Sequence, residues 1–300
     1  MKYIYILNGR ADKAPYYREF YDQLKETPHQ YEVYTTMGEG DATRYVRLYC
    51  DLHPEEEVCF VACGGNGIIN GVASGMVEFA SSNKTMAILY FGGATEDFII
   101  NFPGRNFRSI KEMLNGIVTP IDIIRINDSY CLNVCNLGFN SKVASRANEL
   151  VARGKSAHQA YTRGVVNAII TSRYNRIKVF VDGQRIARGA MVLCTVANGK
   201  RVGGEFNCAP TVRVDDGLMD VCYFRPMSLL RLLMLISHYR KGDHIGSKVG
   251  GRKVLFRQAR EVSISSKDLI DIYLDGELLQ GSYFEMKLLP GALPLRLPRV

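Results

Sequence analysis

The chain lacks the short motifs that bind metals or activate nucleophiles. Its eight cysteines include no C-x-x-C pair, and its five histidines are scattered without an H-E-x-x-H motif. Zinc sites and catalytic triads depend on such groupings, so zinc hydrolase and triad chemistry are not expected. Unpaired cysteines without a framework spacing are typical of a reducing compartment, which predicts a cytoplasmic location.

Long apolar segments are also missing from the 300 residues. A membrane-spanning helix needs about 18 uninterrupted apolar residues, and the richest stretch, residues 227–237, contains Arg231. Residues 1–9 are apolar but too short for a signal peptide, so they are predicted to form a first strand. The sequence thus predicts a soluble protein, whose membrane contact, if it has one, is peripheral and at the inner face.

The formal net charge of +8 favours anionic partners. Nucleotides, phosphorylated lipids and an acidic membrane surface all fit, and the charge does not choose among them. Basic residues recur through residues 146–163 and 248–260, but no nucleic-acid-binding motif accompanies them. Nucleic acid is therefore not an expected partner, and peripheral membrane contact stands as the alternative to a solvated basic face.

The first part of the chain alternates strand-like and helix-like segments. Strands are predicted over residues 3–7, 31–36, 57–62 and 86–90. Helices are predicted over residues 14–25, 42–52 and 68–80, the second of them capped by Asp41, with a glycine turn over residues 64–67. Such alternation indicates a parallel sheet flanked by helices, so residues 1–122 are predicted to form an α/β domain.

From about Ile121 the pattern changes to β segments separated by glycine turns. Strands are predicted over residues 130–137, 177–181, 191–197, 218–224, 261–265, 270–274 and 284–288, with helices near 156–173 and 228–239. This pattern predicts a mainly antiparallel second domain over residues 123–289. Residues 227–239 carry apolar side chains at helical spacing; an ordinary packed amphipathic helix is the interpretation, and lipid contact the alternative.

Two glycine-containing turns are the first candidate binding elements. One consists of Gly64, Gly65, Asn66 and Gly67. It lies between a predicted strand and a predicted helix, where glycines admit a phosphate and a helix N-terminus favours negative charge, although a tight turn without a ligand is the alternative. The other turn follows the apolar segment 86–90 and contains Gly92, Gly93 and Thr95. Strand-end loops of one parallel sheet converge on one crevice, which predicts a shared site.

Two acidic motifs in the second part are candidate magnesium sites. The first contains Asp216 and Asp220, and the second contains Asp275 and Glu277. Magnesium takes oxygen ligands and is commonly held by one or two carboxylates with waters and substrate phosphates. The alternative is structural, because Asp-Gly between β segments is a strong hairpin signal. Residues 182–183 carry the same dipeptide without clustered carboxylates and are interpreted as a hairpin turn alone.

Taken in order, these elements resemble the diacylglycerol and sphingosine kinase family, especially its soluble bacterial lipid kinases. Residues 64–75 (G-G-N-G-I-I-N-G-V-A-S-G) are similar to the family's G-G-D-G-T-x-N-E-x-x-x-G, and residues 93–98 lie where the family has G-T-x-N-D-F. Further matches follow in family order at residues 136–139, 197–199, 203–204, 210, 215–220, 275–277 and 289–292. The resemblance covers almost the whole chain.

The resemblance implies a nucleotide-binding α/β domain related to phosphofructokinase and NAD kinase, and a β-rich second domain for the lipid. The segment after about residue 290 is expected to return to the first domain. The implied reaction moves the γ-phosphoryl group of ATP to a lipid hydroxyl, such as that of diacylglycerol, with the help of magnesium. ATP and Mg²⁺ are thus the implied cofactors. A homodimer formed through an unpaired sheet edge is a further expectation.

The resemblance also implies roles for individual residues. The nucleotide-binding positions are Gly64, Gly65, Asn66, Gly67, Asn70, Gly92, Gly93 and Thr95. The metal-binding positions are Asp216, Asp220 and Glu277. The catalytic positions are Glu277, Asp275 and Asp97.

The phosphate-side motifs depart from the family pattern. Asn66 stands where the family has an acidic residue, Ile68 where it has Thr, and Gly71 where it has Glu. In the second loop, Ala94 replaces Thr and Glu96 replaces Asn. A neutral amide cannot accept a proton from a hydroxyl, so loss of a general base at position 66 would lower the rate by roughly 10²–10⁴.

Three hypotheses follow from these matches and departures. The chain is a working lipid kinase that uses Asp97 or Glu277 as its base, a catalytically impaired pseudokinase that binds lipid or nucleotide as a regulatory module, or an NAD kinase. NAD kinases share the glycine motif, but the acidic motifs and the terminal Pro-Gly-Ala fit lipid kinases better. Magnesium-dependent ATP turnover that rises with lipid, binding without turnover, and consumption of NAD distinguish the three.

Overall fold

The computed structural model describes residues 1–9, 16–79, 83–91, 96–138 and 175–299, and the first part of the chain forms an α/β domain. Its strands are β1 (Lys2–Leu7), β2 (Tyr31–Thr35), β3 (Val58–Cys63) and β4 (Lys84–Leu89). They run parallel in the order β4-β3-β1-β2. The helices are α1 (Tyr16–Glu26), α2 (Asp41–Leu52), α3 (Asn66–Met76) and the short α4 (Ile110–Leu114). The prediction of a parallel α/β domain is confirmed.

The central strands of this sheet are buried because helices cover both of its faces. Every residue of β3 and β4 is buried, and both strands are continuous apolar runs apart from the Lys-Thr pair that opens β4. One face packs against α2 and α3 through Val46 and Val72. The other packs against α1 and α4 through Phe20 and Met113. Near-continuous apolar strands are what a parallel sheet between two helical layers requires.

Helices α2 and α3 lie close together because α3 has glycines on the contact face. A Cβ atom at Gly71 would lie 3.1 Å from the Cβ of Ala42, and one at Gly75 would lie 2.7 Å from the backbone oxygen of Thr43. The Thr43 hydroxyl donates a hydrogen bond to the carbonyl of Gly71 at 2.9 Å. These small residues fix the position of α2 beside the loop that begins α3.

From residue 117 onward the structure is mainly antiparallel, which confirms the prediction of a β-rich second domain. The strands are β5 (Ile117–Ile126), β6 (Ser129–Cys131), β7 (Val134–Gly138), β8 (Asn175–Val181), β9 (Gln184–Met191), β10 (Leu193–Ala197), β11 (Arg201–Val202), β12 (Phe206–Asn207), β13 (Met219–Phe224), β14 (Val254–Ala259), β15 (Glu261–Leu274) and β16 (Glu277–Leu297). One helix, α5 (Leu229–Lys241), packs on this part through its buried face.

Strand β16 joins the two parts into one 14-stranded sheet. It pairs antiparallel with β15 and then with β5, and near its end it runs parallel to β4 at Leu295 and Arg296. The predicted strand over residues 284–288 was therefore too short. The Pro-Gly pair within β16 produces a register shift between Leu289 and Leu293 without ending the strand. The chain end thus lies against the first sheet, and a domain boundary near residue 122 stays our proposal.

Two predicted helix starts were wrong. The predicted turn over residues 64–67 is shorter, since α3 already begins at Asn66. Asp41 does not cap α2, because Gly40 occupies the N-cap position with a positive φ of 71°. The Asp41 carboxylate instead accepts hydrogen bonds from the backbone amide of Met37 and the hydroxyl of Tyr34, each at 2.8 Å.

Strand boundaries differ in the second part. Residues 261–265 and 270–274 belong to the single strand β15, because an irregularity between Ser265 and Ile270 does not break it. Residues 130–137 instead divide into β6 and β7. The helix predicted near 156–173 lies outside the described residues.

All eight cysteines are buried free thiols. Among the described residues, no helix has both the length and the apolarity that crossing a bilayer requires.

Candidate active site

The first glycine turn leads directly into the N-terminus of α3. β3 ends at Cys63, Gly64 has a φ of +148° that side-chain-bearing residues rarely adopt, and Gly65 occupies the N-cap position. The N-cap residue Gly65 provides no side-chain cap for this helix end, and an uncapped helix N-terminus favours an anion. A Cβ atom at Gly67 would meet no atom within 4 Å. The start of α3 therefore has free space beside Gly67.

A cavity of about 400 Å³ lies beside this helix end. Gly67 and Ile68 of α3 line it, together with Asn8 and Thr36, which follow β1 and β2, and Glu277 at the start of β16. The carboxyl ends of neighbouring parallel strands are where ligands commonly bind in open α/β sheets. The cavity therefore joins the first glycine motif to the last acidic motif.

Glu277 brings a carboxylate to this cavity. Burial raises its pKa above the ordinary value, and the negative charges of Glu39 and Asp275 raise that pKa further. Glu39 lines the same cavity from the loop before α2. Within the described part of the chain, the Glu277 side chain forms no hydrogen bond or ion pair. A carboxylate whose pKa is shifted toward neutrality and which has no competing partner is suited to accept a proton.

Asp275 lies in the turn that presents Glu277. Its carboxylate accepts hydrogen bonds from three successive backbone amides, those of Leu132 at 2.7 Å, Asn133 at 3.1 Å and Val134 at 2.8 Å. Burial raises the pKa of Asp275 to about 6, and the three amides oppose that shift. Asp275 and Gly276 have φ angles of +51° and +100°, as a two-residue hairpin turn requires. Asp275 is thus engaged in holding this hairpin turn to the bend between β6 and β7.

Asn66 and Asp97 form a bridge to the second part of the chain. The Asn66 side-chain amide donates a hydrogen bond to the Asp97 carboxylate at 2.9 Å. The same carboxylate accepts hydrogen bonds from the backbone amides of Gly203 at 3.0 Å and Gly204 at 2.7 Å. Asp97 is buried, and both of its oxygens are engaged. Asp97 therefore joins the start of α3 to the turn between β11 and β12.

Asn70 is also buried within α3. Its side-chain nitrogen donates to the carbonyl of Tyr130 at 3.4 Å, and its side-chain oxygen accepts from the amide of Leu132 at 3.2 Å. The residue predicted as nucleotide-binding thus contacts the backbone around β6. Its contacts position α3 against the second part of the chain.

The predicted metal ligands Asp216 and Asp220 have separate partners. Asp216 is exposed and accepts a hydrogen bond from the amide of Leu218 at 3.0 Å. Asp220 is buried in β13 and accepts hydrogen bonds from the Thr211 hydroxyl at 2.8 Å and the Gln258 amide at 3.1 Å. Burial raises the pKa of Asp220. Across the described ranges, no three carboxylate, histidine or cysteine side chains gather as a metal site, so the predicted ligands are not brought into one group.

The second glycine loop adds little to the described site. Gly92, Gly93, Ala94 and Thr95 lie outside the described residues. Glu96 is exposed, and its carboxylate lies 3.7 Å from the guanidinium of Arg108. The negative charge at position 96 is therefore partly compensated by its neighbour.

Asp122, which no sequence motif indicated, anchors two backbone segments of the second part of the chain. Its buried carboxylate accepts hydrogen bonds from the amides of Gly217 at 2.8 Å and Gly291 at 2.7 Å. Burial raises the pKa of Asp122, and these two bonds oppose that shift. The Asn198 side chain donates to the carbonyls of Asp122 and Leu132, each at 2.9 Å. In the sequence, the sign of these contacts is an acidic residue among the mostly apolar residues of β5.

Glu39 was missed for a different reason. It lies in a loop without a motif, and it comes near Glu277 only because the loop after β2 and the start of β16 border the same cavity. Nothing in the local sequence around residue 39 distinguishes it from a solvated acidic side chain.

Comparison with known families finds two matches that follow one another along the chain. Residues 2–126 match the diacylglycerol kinase catalytic domain, and residues 133–297 match the YegS C-terminal NAD kinase beta sandwich-like domain. A protein named "Probable lipid kinase YegS-like" from Chromohalobacter salexigens is 26% identical over 297 residues, covering 98% of this chain and 92% of that protein. A protein of the same name from Klebsiella pneumoniae is 28% identical over 296 residues, covering 98% and 95%.

Solved structures share the fold. A diacylglycerol kinase from Bacillus anthracis aligns with a TM-score of 0.70 at 20% identity, covering 99% of this chain and 96% of that one. Yeast NADH kinase complexed with NADH aligns with a TM-score of 0.53 at 10% identity, covering 100% and 84%. These likenesses establish an NAD kinase-like architecture. Since the two family matches together run from residue 2 to residue 297, the chain belongs to the diacylglycerol kinase-like family of YegS-type lipid kinases.

Proposed function

We propose that this chain transfers the γ-phosphoryl group of ATP to a lipid hydroxyl, such as that of diacylglycerol, with Glu277 as the general base. The observation that supports this most directly is the convergence of the uncapped N-terminus of α3 and the Glu277 carboxylate on one cavity of about 400 Å³. Cavities of roughly 300–1,000 Å³ are typical of small-molecule and cofactor sites. An anion cradle beside a proton acceptor is the pair of functions that phosphoryl transfer to an alcohol needs.

The residues on the nucleotide side fit a polyphosphate. The backbone amides of Gly65 and Gly67 would bind phosphate oxygens, since the N-cap glycine provides no side-chain cap and a Cβ atom at Gly67 would meet no atom within 4 Å. The carboxylate of Glu39 borders the same cavity, and Mg²⁺ is commonly held by one or two carboxylates with waters and phosphates. A bound Mg²⁺ would neutralise charge on the phosphate oxygens.

The choice of Glu277 rests on the partners of the other candidate bases. Asp97 has both oxygens engaged by Asn66 and by the Gly203 and Gly204 amides. The Asp275 carboxylate is engaged by three backbone amides. A general base must present a lone pair within hydrogen-bond reach of the hydroxyl that it deprotonates.

The proposed step needs no reactant besides the lipid and ATP. The hydroxyl proton of the lipid moves to the Glu277 carboxylate as the lipid oxygen forms a bond to the γ-phosphorus. The bond from that phosphorus to the oxygen bridging to the β-phosphate breaks, and ADP leaves. Positioning and charge neutralisation supply most of the rate in such reactions, which is why neutral Asn66 is compatible with turnover.

A direct test is transfer from labelled ATP with magnesium and a panel of diacylglycerols, sphingosine and related lipids. We expect lipid-dependent labelling of product by the wild-type protein, abolished by removal of magnesium. Retained ATP binding with no labelled lipid would contradict this function.

A second candidate function is a catalytically impaired binding module for lipid or nucleotide. The Asn66 to Asp97 hydrogen bond favours it, because an amide occupies the place of a family carboxylate and uses the neighbouring acid as its acceptor. Turnover that appears only in Asn66→Asp would support this candidate. The family match gives no support to the NAD kinase alternative, which predicts consumption of NAD.

The proposed setting is the cytoplasm, with peripheral contact at the inner membrane face. Eight buried free thiols support a reducing compartment.

A further inference from the structure

Helix α5 is apolar on two faces. Leu232, Leu235 and Tyr239 are buried against the sheet. Four other side chains form what we term the α5 outer face, and their exposed fractions are 47% for Leu229, 70% for Leu230, 39% for Leu233 and 46% for Met234. A surface helix ordinarily carries polar residues opposite its buried stripe. The interpretation as an ordinary packed amphipathic helix therefore accounts for the first face and leaves the second unexplained.

The excess positive charge of the chain lies in the sequence segment that contains this helix. Residues 225–260 contain nine lysines and arginines and one aspartate, so they carry a formal charge of +8, which equals the net charge of the entire chain. The exposed basic residues of this segment include Arg225, Lys241, Lys248, Arg252 and Arg257. The remainder of the chain is thus balanced, and the basic surplus belongs to the segment that presents the α5 outer face.

We propose that the α5 outer face and the basic residues of segment 225–260 dock on the surface of an anionic phospholipid bilayer. Exposed leucine and methionine side chains insert below the headgroups, while lysines and arginines contact lipid phosphates. This combination of apolar and basic side chains is what binds interfacial helices to anionic membranes. The surface goes beyond the proposed reaction, since it requires neither ATP nor the Glu277 carboxylate.

The docking surface is connected to the candidate active site. The ring of Tyr239 in α5 lies 5.8 Å from that of Phe206 in β12, and Arg240 forms an ion pair with Glu205 at 3.3 Å. The preceding residues, 203–204, donate the two backbone hydrogen bonds to Asp97. Docking through α5 would therefore hold the turn that binds Asp97 at the bilayer surface, where a lipid substrate resides.

Because the chain contains no tryptophan, the fluorescence of a single introduced tryptophan reports on its own position alone. We would place a single tryptophan at the α5 outer face by Leu230→Trp and, as a matched control, by Leu269→Trp at a position in β15 that is 76% exposed. Vesicles of phosphatidylcholine containing phosphatidylglycerol should shift the Leu230→Trp emission to shorter wavelength and leave Leu269→Trp unchanged. Pure phosphatidylcholine vesicles should shift neither, because the basic residues need anionic headgroups.

Vesicle sedimentation without ATP tests the same surface by loss of function. The double substitution Leu230→Gln and Met234→Gln should lower binding to anionic vesicles by about tenfold or more, since two inserted apolar side chains are lost. Leu269→Gln should bind as the wild type does, and high salt should weaken wild-type binding.

Absence of wild-type binding to anionic vesicles, or equal binding by the double variant, would overturn the proposal. A dimer that the double variant dissociates, without vesicle binding, would assign the face to a second copy of the chain and overturn the proposal as well. Phosphoryl transfer to a short-chain lipid in detergent micelles separates this outcome from failure of the kinase function, because the double variant should retain that activity.

Discussion

The side-chain amide of Asn66 lies 2.9 Å from the carboxylate of Asp97 and donates a hydrogen bond to it. The family motif has an acidic residue at position 66, and a carboxylate there would face a buried carboxylate of the same charge. Like charges at this distance raise the pKa of one partner or require a cation between them. The substitution therefore changes the electrostatics of the pair, because the amide donates a hydrogen bond where a carboxylate would repel Asp97.

Asn66→Asp should lower stability in the absence of magnesium. The variant loses a donor to a buried carboxylate and gains a like charge, which we expect to cost about 1–3 kcal/mol of unfolding free energy. Added Mg²⁺ should restore much of that loss and should raise the melting temperature of the variant more than that of the wild type.

Thermal melts with and without Mg²⁺ measure this effect. Asn106→Asp is the matched control, because the Asn106 amide also donates to a carboxylate, that of Glu112 at 3.4 Å, but at an exposed position. Equal melting temperatures for Asn66→Asp and wild type without magnesium would contradict the account of this pair.

Gly75→Ala should destabilise the contact between α2 and α3. The added methyl would lie 2.7 Å from the Thr43 carbonyl oxygen and 2.8 Å from the Val46 Cβ, so the helices must separate. We expect a loss of about 1–3 kcal/mol, the usual cost of overpacking a core. Gly67→Ala is the control, because no atom lies within 4 Å of its Cβ position and alanine favours a helix over glycine. Urea unfolding should therefore show Gly75→Ala weakened and Gly67→Ala unchanged or strengthened.

Much of the fold could be predicted from the sequence because apolar runs and helical periodicity agreed with the tertiary structure. The buried runs of β3 and β4 and the periodicity of α2 and α3 located the parallel sheet to within a few residues. The full length of strand β16 could not be predicted, since a Pro-Gly pair within a sequence segment normally indicates the end of a strand. Its continuity depends on pairing with β5 and β4, which are remote in sequence.

The candidate site was predicted less completely for a related reason. The motifs named Glu277, Asp275 and Asp97 as candidates, but the local sequence cannot show which carboxylate already has partners. Backbone amides that engage Asp275 and Asp97 come from residues more than 100 positions away. The raised pKa of Glu277 depends partly on Glu39, whose proximity is a property of the folded chain.

Asp275 should make stability depend on pH in the mildly acidic range. Its pKa is raised from 3.8 to about 6 by burial, so the folded state retains the proton where the unfolded state releases it. Its contribution is fully present below pH 3.8 and is lost as the pH rises through about 6. We expect the unfolding free energy of the wild type, relative to Asp275→Asn, to fall by about 1–3 kcal/mol between pH 4 and pH 7.

Urea unfolding of both proteins across that range measures this difference. Asp268→Asn is the control, because Asp268 is exposed. Its curve should run parallel to that of the wild type, whereas a parallel curve for Asp275→Asn would contradict a raised pKa at that position.

The most direct test of the proposed function is the turnover number of Glu277→Gln beside that of Glu285→Gln, an exposed position on the same strand. With saturating ATP, magnesium and a lipid that the wild type phosphorylates, Glu277→Gln should lose roughly 10²–10⁴ in kcat, the usual contribution of a general base. Glu285→Gln should match the wild type. The wild-type rate should rise with pH through a pKa above the ordinary value of 4.5, because the base acts only when ionised, and that rise should be missing from the residual rate of Glu277→Gln. A Glu277→Gln enzyme with wild-type kcat and an unchanged pH profile would contradict the assignment of Glu277 as the base.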